Sequence, residues 1–316
     1  MTEGNIIPEQ GQAVVVKHTG SHYLLSRLPE WNLFPAVLRG KVRLKGSVAT
    51  NPVAVGDIVD YKYEDEMSVI EAIHPRKNYI IRRSANLSRE AHIIAANLDH
   101  AYLIVTMAFP ETKLAFVDRF LVTCEAYGVP VTIVINKRDL YDEALQDMAA
   151  AFRDIYEGAG YEILEVSAVT GENVDALRGR LAGKINLFSG TSGVGKSSLI
   201  KMLDPSLDYI RTAEISQAHL QGRHTTTFYE MYPIATGGFI LDSPGIRGFG
   251  LVDFEKEELS KYFPEMLRVM DECRFAPCTH THEPGCAVKA AVDAGTISPD
   301  RYYSYLGMLE EENKYR

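Results

Sequence analysis

The fold of this chain is decided by the stretch Gly190-Thr191-Ser192-Gly193-Val194-Gly195-Lys196-Ser197, which fits the pattern G-x-x-x-x-G-K-[ST]. It follows an apolar segment at 185–188 and precedes a candidate helix at 198–203, the setting of a phosphate-binding loop. Glycines let backbone N–H groups turn towards a phosphate, and the helix N-terminus adds a positive dipole. We expect Lys196 to reach the β- and γ-phosphates and the Ser197 hydroxyl to bind Mg²⁺. The candidate phosphate-binding residues are Gly190, Thr191, Ser192, Gly193, Val194, Gly195, Lys196, Ser197 and Ser198.

Strands and helices alternate on both sides of this loop in the sequence. The segments 101–107 and 131–135 are continuous apolar runs, which is typical of buried parallel strands. Between them, 114–127 carries one apolar face at helical spacing, and we interpret Cys124 on that face as a buried helix residue. The pattern predicts an α/β domain with a mostly parallel sheet. Further candidate strands lie at 163–166, 185–188 and 239–241.

A second nucleotide-binding motif, Asp242-Ser243-Pro244-Gly245, follows the candidate strand at 239–241. An Asp at the end of a parallel strand beside a phosphate loop can hold Mg²⁺, usually through water. Gly245 can present its backbone N–H to the γ-phosphate. By itself Asp-x-x-Gly is a common turn. Downstream of a phosphate loop, it predicts a switch element.

Two further motifs indicate a guanine site. Asn136-Lys137-Arg138-Asp139 follows the strand at 131–135, and Ser167-Ala168 ends the strand at 163–166. The Asp139 carboxylate can accept both N1–H and N2–H₂ of guanine, a donor pair that adenine lacks. We expect Asn136 to tie the base loop together, the Lys137 stem to pack on the ring, and the Ser167-Ala168 backbone to meet guanine O6.

Composition excludes several classes of protein. The 316 residues are 46% hydrophobic and 24% charged, which excludes a wholly disordered chain, a collagen and a disulfide-dense miniprotein. The 33 basic and 42 acidic residues give a net charge of −9, which excludes a uniformly basic nucleic-acid coat but not local basic patches. No apolar run approaches the roughly 18 residues of a membrane span, and the first residues do not resemble a secretory signal. We therefore expect a cytoplasmic protein that does not bind membranes.

The N-terminal part predicts a small β-barrel. Short candidate strands at 13–17, 23–26, 37–44, 58–63 and 69–73 alternate with turns, for which an OB-fold is one option and a β-sandwich the alternative. Two stretches without acidic residues, 39–45 and 76–89, can neutralise phosphates, although such runs are usually only solvated faces. Their basic residues are Arg39, Lys41, Arg43 and Lys45, then Arg76, Lys77, Arg82, Arg83 and Arg89.

A cluster of cysteines near the C-terminus predicts a metal site. Cys273, Cys278, His280 and Cys286 have the spacing C-x4-C-x-H-x5-C. Three thiolates and an imidazole favour tetrahedral Zn²⁺, and four protein ligands leave no open position for catalysis. We therefore expect one structural zinc ion per chain. By chemistry alone His282 is an alternative ligand, and unligated thiols in a helical tail are the simpler alternative.

The order of the motifs is unusual. GTPases usually carry the phosphate loop first, then a switch threonine, Asp-x-x-Gly, Asn-Lys-x-Asp and Ser-Ala. Here the two base motifs precede the phosphate loop, while the threonines at 225–227 and the motif at 242–245 follow it. The elements are therefore in circularly permuted order, which a chain tolerates when the termini of the domain lie close together.

These motifs, together with Gly222-Arg223-His224-Thr225-Thr226-Thr227 and the Cys–His cluster, resemble the circularly permuted ribosome small-subunit-dependent GTPases of the RsgA (YjeQ) family. The resemblance implies an OB-fold RNA-binding domain at 1–75, a permuted P-loop GTPase domain at 76–250 and a helical zinc-binding domain at 251–316. It implies a GTPase that is stimulated by the small (30S) ribosomal subunit, binds 16S rRNA and acts late in maturation of that subunit. We expect a monomer. One alternative is a GTP-gated RNA- or protein-binding switch not tied to the ribosome, and another is a small-molecule P-loop kinase.

The resemblance also implies residue roles. The segment 222–227 matches switch I, where we favour Thr226 as a ligand of Mg²⁺ together with Ser197 and Asp242. Many GTPases place a water-orienting Gln after Asp-x-x-Gly, but this chain has Ile246, and the family pattern points to His224 as the catalytic substitute. The alternative is that His224 only contacts RNA or solvent. The same pattern favours His280 over His282 as the zinc ligand. It supports RNA binding by Arg39, Lys41, Arg43, Lys45, Arg82 and Arg83.

Overall fold

The N-terminal part of the chain forms a closed five-stranded barrel. The computed structural model describes residues 9–18, 22–38, 52–83, 91–207, 229–242 and 256–314. Strand β1 pairs with both β2 and β4, β2 pairs with β3, and β5 joins β3 to β4, so the sheet closes on itself. This closed order confirms an OB-like barrel and not a sandwich. The strands are β1 (Gln10–His18), β2 (His22–Ser26), β3 (Phe34–Leu38), β4 (Ile58–Glu64) and β5 (Met67–Ile73).

The barrel core follows from the alternation of its strands. Val15, Leu25, Val59 and Ile70 are fully buried, and the alternation is clearest in β4, where Ile58 is exposed, Val59 is buried and Asp60 is half-buried. The predicted third strand at 37–44 begins earlier in the structure, at Phe34, and the part beyond residue 38 lies outside the described residues.

A hairpin that the sequence analysis did not predict follows the barrel, formed by β6 (Tyr79–Arg83) and β7 (Ala91–Ala96). It is held against the barrel by the backbone of Gly56, which has φ +92° and lies so close to Ala96 that a Cβ atom would be 2.0 Å from the Ala96 oxygen. Only glycine fits this approach. The predicted domain boundary at 75/76 lies between β5 and β6 and stays a prediction, as does the one at 250/251, which lies outside the described residues.

A six-stranded sheet carries the predicted α/β domain. Its spatial order is β10-β9-β8-β11-β13-β12, in which the first five strands are parallel and β12 is antiparallel. The prediction of a mostly parallel sheet is confirmed, although the analysis did not identify β12. The strands are β8 (His100–Val105), β9 (Val131–Ile135), β10 (Glu162–Glu165), β11 (Ile185–Ser189), β12 (Glu230–Pro233) and β13 (Phe239–Asp242).

Helices cover both faces of this sheet, as buried parallel strands require. Helices α1 (Leu114–Ala126) and α2 (Glu143–Ala159) pack on one face, and α3 (Val174–Leu181) and α4 (Lys196–Leu203) pack on the other. Cys124 of α1 is fully buried, as predicted. Short 3₁₀ turns lie at Arg138–Leu140 and Pro205–Leu207.

The barrel and the α/β sheet are joined edge to edge. Strand β1 pairs with β12 at Lys17 and Glu230, whose side chains form an ion pair of 2.7 Å. The rings of Trp31 and Phe239 lie 5.7 Å apart beside this joint. Within the described residues, one sheet of eleven strands therefore runs through both the barrel and the α/β part.

The C-terminal region, residues 256–314, packs against α1. It contains α5 (Pro264–Leu267), α6 (Ala287–Asp293) and α7 (Pro299–Lys314), with 3₁₀ turns at Lys256–Tyr262 and Met270–Glu272. Its apolar core includes Val122 of α1. Arg301 of α7 is 1% exposed and pairs with both Asp118 of α1 and Glu265 of α5, each at 2.7 Å. Among the described residues, no helix is long and apolar enough to cross a membrane.

Candidate functional site

The predicted nucleotide motifs meet at one edge of the parallel sheet. The loop 190–197 follows β11, Asn136 follows β9, Ser167 follows β10, and Asp242 is the last residue of β13. Since the carboxyl ends of parallel strands meet at a common edge, motifs far apart in the sequence become neighbours. Ligands of open α/β sheets bind at this edge.

The phosphate loop has the backbone that its glycines predict. Gly193 and Gly195 have φ values of +88° and +87°, a backbone conformation that residues with a side chain rarely adopt. A Cβ on Gly190 would lie 2.6 Å from the oxygen of Ile104, and one on Gly195 would lie 2.5 Å from Asn136 Nδ2. The loop ends at Lys196, the first residue of α4, so the N-terminus of this helix faces the loop. The loop is therefore built for the close approach of an anion.

Lys196 and Asp242 bring opposite charges together in this loop. The Lys196 Nζ lies 2.8 Å from Asp242 Oδ1, and the two side chains are 5% and 8% exposed. Asp242 and the Ser197 hydroxyl offer oxygen ligands of the kind that Mg²⁺ prefers, so this part of the predicted magnesium site fits the ion.

Asn136 connects three of the loops. It is 1% exposed, and its Nδ2 donates to the Val194 oxygen at 2.9 Å while its Oδ1 accepts from the Ala168 N–H at 3.1 Å. Both polar ends of the side chain are therefore used inside the protein. These two hydrogen bonds are what the role predicted for Asn136, tying the base loop together, requires.

Lys137 crosses from the base loop to the phosphate loop. Its backbone is left-handed, with φ 68°, and its Nζ donates to the oxygen of Gly193 at 2.8 Å and to the oxygen of Phe109. Partial burial lowers the pKa of Lys137, and the nearby Asp139 carboxylate acts in the opposite direction. The Lys137 stem is thereby held beside Asp139, where the purine ring was predicted to pack.

Asp139 and Ser167, which were both predicted to contact the base, are hydrogen-bonded to each other. The Ser167 hydroxyl donates to Asp139 Oδ1 and accepts from the backbone N–H groups of Val169 and Thr170 at 3.2 and 3.1 Å. Ser167 is fully buried, while Asp139 is exposed. A buried hydroxyl thus orients a carboxylate that remains open to solvent.

Arg138, also predicted to bind nucleotide, has protein partners. Its Nε lies 3.1 Å from Glu165 and 3.8 Å from Glu172, and its guanidinium lies over the Tyr141 ring. These contacts favour a role for Arg138 in shaping the base loop.

A groove of about 360 Å³ runs from Ala168 of the 167–168 loop along α4. Ala168, Ser197 and Ser198 of its lining were predicted from the sequence, and the other four residues were not. Two of these, Lys201 and Met202, lie one helical turn after the two serines, and this i, i+4 spacing could have identified them. The missed residues are Lys201, Met202, Pro205 and Leu207.

The Cys–His cluster has the dimensions of a zinc site. The His280 Nδ1 lies 3.6 Å from Cys273 Sγ and 3.4 Å from Cys286 Sγ, and these two sulfurs are 4.0 Å apart. With Cys278, all four candidate ligand atoms lie within 4.8 Å of one another. Tetrahedral zinc with ordinary bond lengths places a nitrogen about 3.5 Å from a sulfur and two sulfurs about 3.8 Å apart. The cluster fits Zn²⁺.

Backbone donors support this cluster. The N–H of Ala287 donates to Cys273 Sγ at 3.3 Å, and the N–H of Lys289 donates to Cys286 Sγ at 3.5 Å. Burial raises the pKa of the Cys278 and Cys286 thiols, so a metal that binds here must displace protons. His282 is not in the cluster and lies exposed, with its Nδ1 2.9 Å from Thr281 Oγ1.

Glu283 shapes the loop that carries two of the four ligands. It accepts hydrogen bonds from the backbone N–H and hydroxyl of Thr279 at 2.8 and 2.6 Å, and from the N–H of Thr281 at 3.0 Å. Although burial raises the pKa of Glu283, these hydrogen bonds hold it at about 2. The ionised carboxylate thus fixes the turn between Cys278 and Cys286. The sequence analysis did not single out Glu283.

The remaining predicted residues are not placed, or are placed only in part. Arg82 and Arg83 lie at the end of β6, opposite His92 and Ala91 in the register. Arg76 and Lys77 of the same basic stretch form ion pairs with Asp57 and Asp99, so they contribute less free positive charge than the sequence suggests. The residues outside the described part of the chain are His224, Thr226, Gly245, Ile246, Arg39, Lys41, Arg43, Lys45 and Arg89.

Comparison with known proteins agrees with this arrangement. The family model described as RsgA GTPase matches residues 73–252. A "Small ribosomal subunit biogenesis GTPase RsgA" of Bacteroides fragilis is 50% identical over 308 residues, which cover 96% of this chain and 99% of the relative. The protein of the same name from Flavobacterium psychrophilum is 46% identical, with 96% and 94% coverage.

Two solved structures share the fold. The crystal structure of YjeQ from Thermotoga maritima has 34% identity and a TM-score of 0.75, covering 96% of this chain and 98% of that one. The structure of YloQ, described as a circularly permuted GTPase, has 27% identity and a TM-score of 0.70, covering 98% and 97%. Motif order, sheet topology and similarity over nearly the whole length lead to one conclusion: this chain belongs to the RsgA GTPase family.

Proposed function

We propose that this protein hydrolyses GTP to GDP and phosphate in the biogenesis of the small (30S) ribosomal subunit, at a late step of its maturation. The observation that carries the proposal is Asn136, whose buried amide joins the phosphate loop, the base loop and the 167–168 loop at one sheet edge. Combined with membership of the RsgA family, this geometry favours a guanine nucleotide as the substrate.

The base would be selected by Asp139. Its carboxylate, oriented by Ser167, would accept from N1–H and N2–H₂ of guanine, while the N–H of Ala168 already donates to Asn136 Oδ1. The Lys137 stem packs on one face of the purine. Adenine would leave the Asp139 carboxylate without donors, which is the physical basis of specificity.

The phosphates would bind over the N-terminus of α4. Lys196 would neutralise the β- and γ-phosphates. Ser197, Asp242 and Thr226 would hold Mg²⁺, whose charge would stabilise the negative charge that develops on the phosphates during hydrolysis. Gly245 contacts the γ-phosphate. His224 accepts a proton from the attacking water, since Ile246 has no group that could do so.

The barrel would bind RNA. We propose that 16S rRNA contacts the basic residues of the stretch 39–45 and of the end of β6, because their side chains can neutralise phosphates within an acidic chain. The protein would act as a monomer in the cytoplasm, with the barrel at 1–75, the GTPase domain at 76–250 and the zinc domain at 251–316. The RNA-binding residues are Arg39, Lys41, Arg43, Lys45, Arg82 and Arg83.

The experiment that tests this function is the GTP turnover rate measured against the concentration of purified small subunits. We expect saturable stimulation by small subunits and none by large subunits. The double variant Arg82→Glu/Arg83→Glu should weaken the stimulation but leave turnover without ribosomes unchanged. Asp147→Asn/Glu157→Gln, which alters exposed charges on α2, is the matched control. Unchanged turnover at every subunit concentration would instead favour a GTP-gated switch not tied to the ribosome.

A further inference from the structure

The turn between β8 and α1, residues 106–113, is closed by two buried threonines that the nucleotide motifs do not include. Thr106 is fully buried and Thr112 is 4% exposed. The Thr106 N–H donates to Thr112 Oγ1 at 3.0 Å, and the Thr112 N–H donates back to the Thr106 oxygen at 2.9 Å. The Thr106 hydroxyl donates to the Pro110 oxygen at 2.5 Å. These bonds fix the tip of the turn.

The tip of this turn contacts both halves of the nucleotide site. The oxygen of Phe109 accepts a hydrogen bond from Lys137 Nζ, which also donates to Gly193 of the phosphate loop. Pro110 packs against the same glycine, since its Cδ lies 3.1 Å from the position of a Cβ on Gly193. The turn therefore supplies one of the two backbone acceptors that orient the Lys137 ammonium group.

We propose that the turn 106–113 is a positioning element for guanine-nucleotide binding, with Thr112 and Thr106 as its positioning residues. This inference rests on the proposed function. A lysine side chain loses rotamer entropy when it is ordered. A turn that holds Phe109 O in place orders Lys137 before the nucleotide arrives. The loss of rotamer entropy therefore does not weaken the binding of the nucleotide. Neither threonine touches the nucleotide, and both act through Lys137 and Gly193.

The test compares variants of the full-length, zinc-loaded protein by the dissociation rate of a fluorescent GDP analogue. Thr112→Val keeps the side-chain shape but removes the hydroxyl, so we expect dissociation about 3- to 10-fold faster, the effect of one net hydrogen bond. KM for GTP should rise by a similar factor with kcat unchanged. Thr112→Ser restores the hydroxyl and should restore the wild-type rate.

Lys113→Ala is the matched control, because this side chain of the same turn is 76% exposed and its rate should stay within about twofold of wild type. A wild-type dissociation rate in Thr112→Val would overturn the proposal, and so would a rise in the rate of Thr112→Ser equal to that of Thr112→Val. If Thr112→Val does not fold, Thr106→Val removes a different hydrogen bond of the same turn and the same criteria apply.

The variant Asp139→Asn distinguishes failure of the positioning role of the turn from failure of the proposed function. Loss of guanine binding in this variant, together with an unchanged rate in Thr112→Val, would overturn the positioning role and leave the proposed function standing. A wild-type protein that binds no guanine nucleotide would overturn both.

Discussion

The loops at the nucleotide edge of the sheet and the C-terminal region are held in place by different interactions. At the nucleotide edge, loops that follow β9, β10 and β11 are held by hydrogen bonds of the Asn136, Lys137 and Ser167 side chains, and the residues of β9 and β11 are almost completely buried. The described residues of the C-terminal region, 256–314, form no strand, and the apolar core of this region includes Val122 of α1. It depends on a metal cluster and a buried ion network.

This difference teaches where each region gets its stability. The nucleotide loops follow strands that are packed in a large apolar core, and this packing sets the positions of the loops. Each polar contact therefore only has to fix a local orientation. The C-terminal region is too small to bury such a core, and small segments of this kind need metal or ionic crosslinks. The two regions should therefore respond differently to the loss of single groups.

Removal of zinc should have the largest effect and should separate the two regions. Structural zinc contributes about 10 kcal/mol or more to folding in small zinc domains, so Cys278→Ser should unfold the C-terminal region. Zinc content and amide hydrogen exchange measure this directly. The nucleotide loops should keep most of their protection. Cys124→Ala is the control, since Cys124 is buried in α1 away from the cluster and its loss should leave one zinc per chain. Full zinc content in Cys278→Ser would contradict the assigned ligand set.

Asp139→Asn should have the next largest effect, confined to the nucleotide edge. A site built to hydrogen-bond a group discriminates against its absence by a factor on the order of 10⁴, so GTP affinity should fall steeply. Affinity for a xanthine nucleotide should rise, because the Asn amide donates to the xanthine O2. Competitive nucleotide binding measures both, with Asp147→Asn on the exposed face of α2 as control. Unaltered guanine preference would show that Asp139 does not read the base.

Arg301→Ala should destabilise the joint between the two regions by about 3–5 kcal/mol, because it leaves Asp118 and Glu265 buried without their cation. Burial by itself lowers the pKa of Arg301, but the carboxylates of Asp118 and Glu265 raise it by more, so its pKa lies above the ordinary value and the arginine stays charged. The free energy of unfolding in urea measures the loss.

The control for that joint is Arg268→Ala. Arg268 is exposed and donates to the Gly158 and Ala159 oxygens at 2.8 and 3.2 Å, so it should cost only about 1 kcal/mol. Equal losses for the two variants would mean that the buried network is not what holds α7 against α1.

The smallest expected effect is a pH dependence at Glu283. Its pKa of about 2 lies below the ordinary value of about 4.3, so the folded state favours the carboxylate. The stability this adds is present above pH 4.3 and is lost as the pH falls towards 2. Glu283→Gln should lower the thermal midpoint at pH 7, and the difference from wild type should shrink below pH 4.3. Glu310→Gln, exposed on α7, should show no such pH trend. A constant difference from pH 7 to pH 3 would contradict this role.

Local patterns predicted much of the fold because they report local chemistry. The apolar run 131–135 is β9 at the same bounds, and the helix predicted at 114–127 ends one residue earlier, at Ala126. The Cys–His spacing identified a cluster that the structure brings within one coordination sphere. The hairpin β6–β7 was missed because Arg82 and Arg83 interrupt the apolar pattern of β6.

The sequence by itself determined the type of each element, the loops that can hold phosphate and guanine, and the donor set for a metal. These depend on residue type, spacing and glycine conformation, which are local properties. Only the tertiary structure decided that Asn136 spans to Val194, that Lys17 meets Glu230 and that Arg301 lies between Asp118 and Glu265. Such pairs join residues 36 to 213 positions apart. Their contacts are set by sheet order and helix packing, which no local pattern encodes.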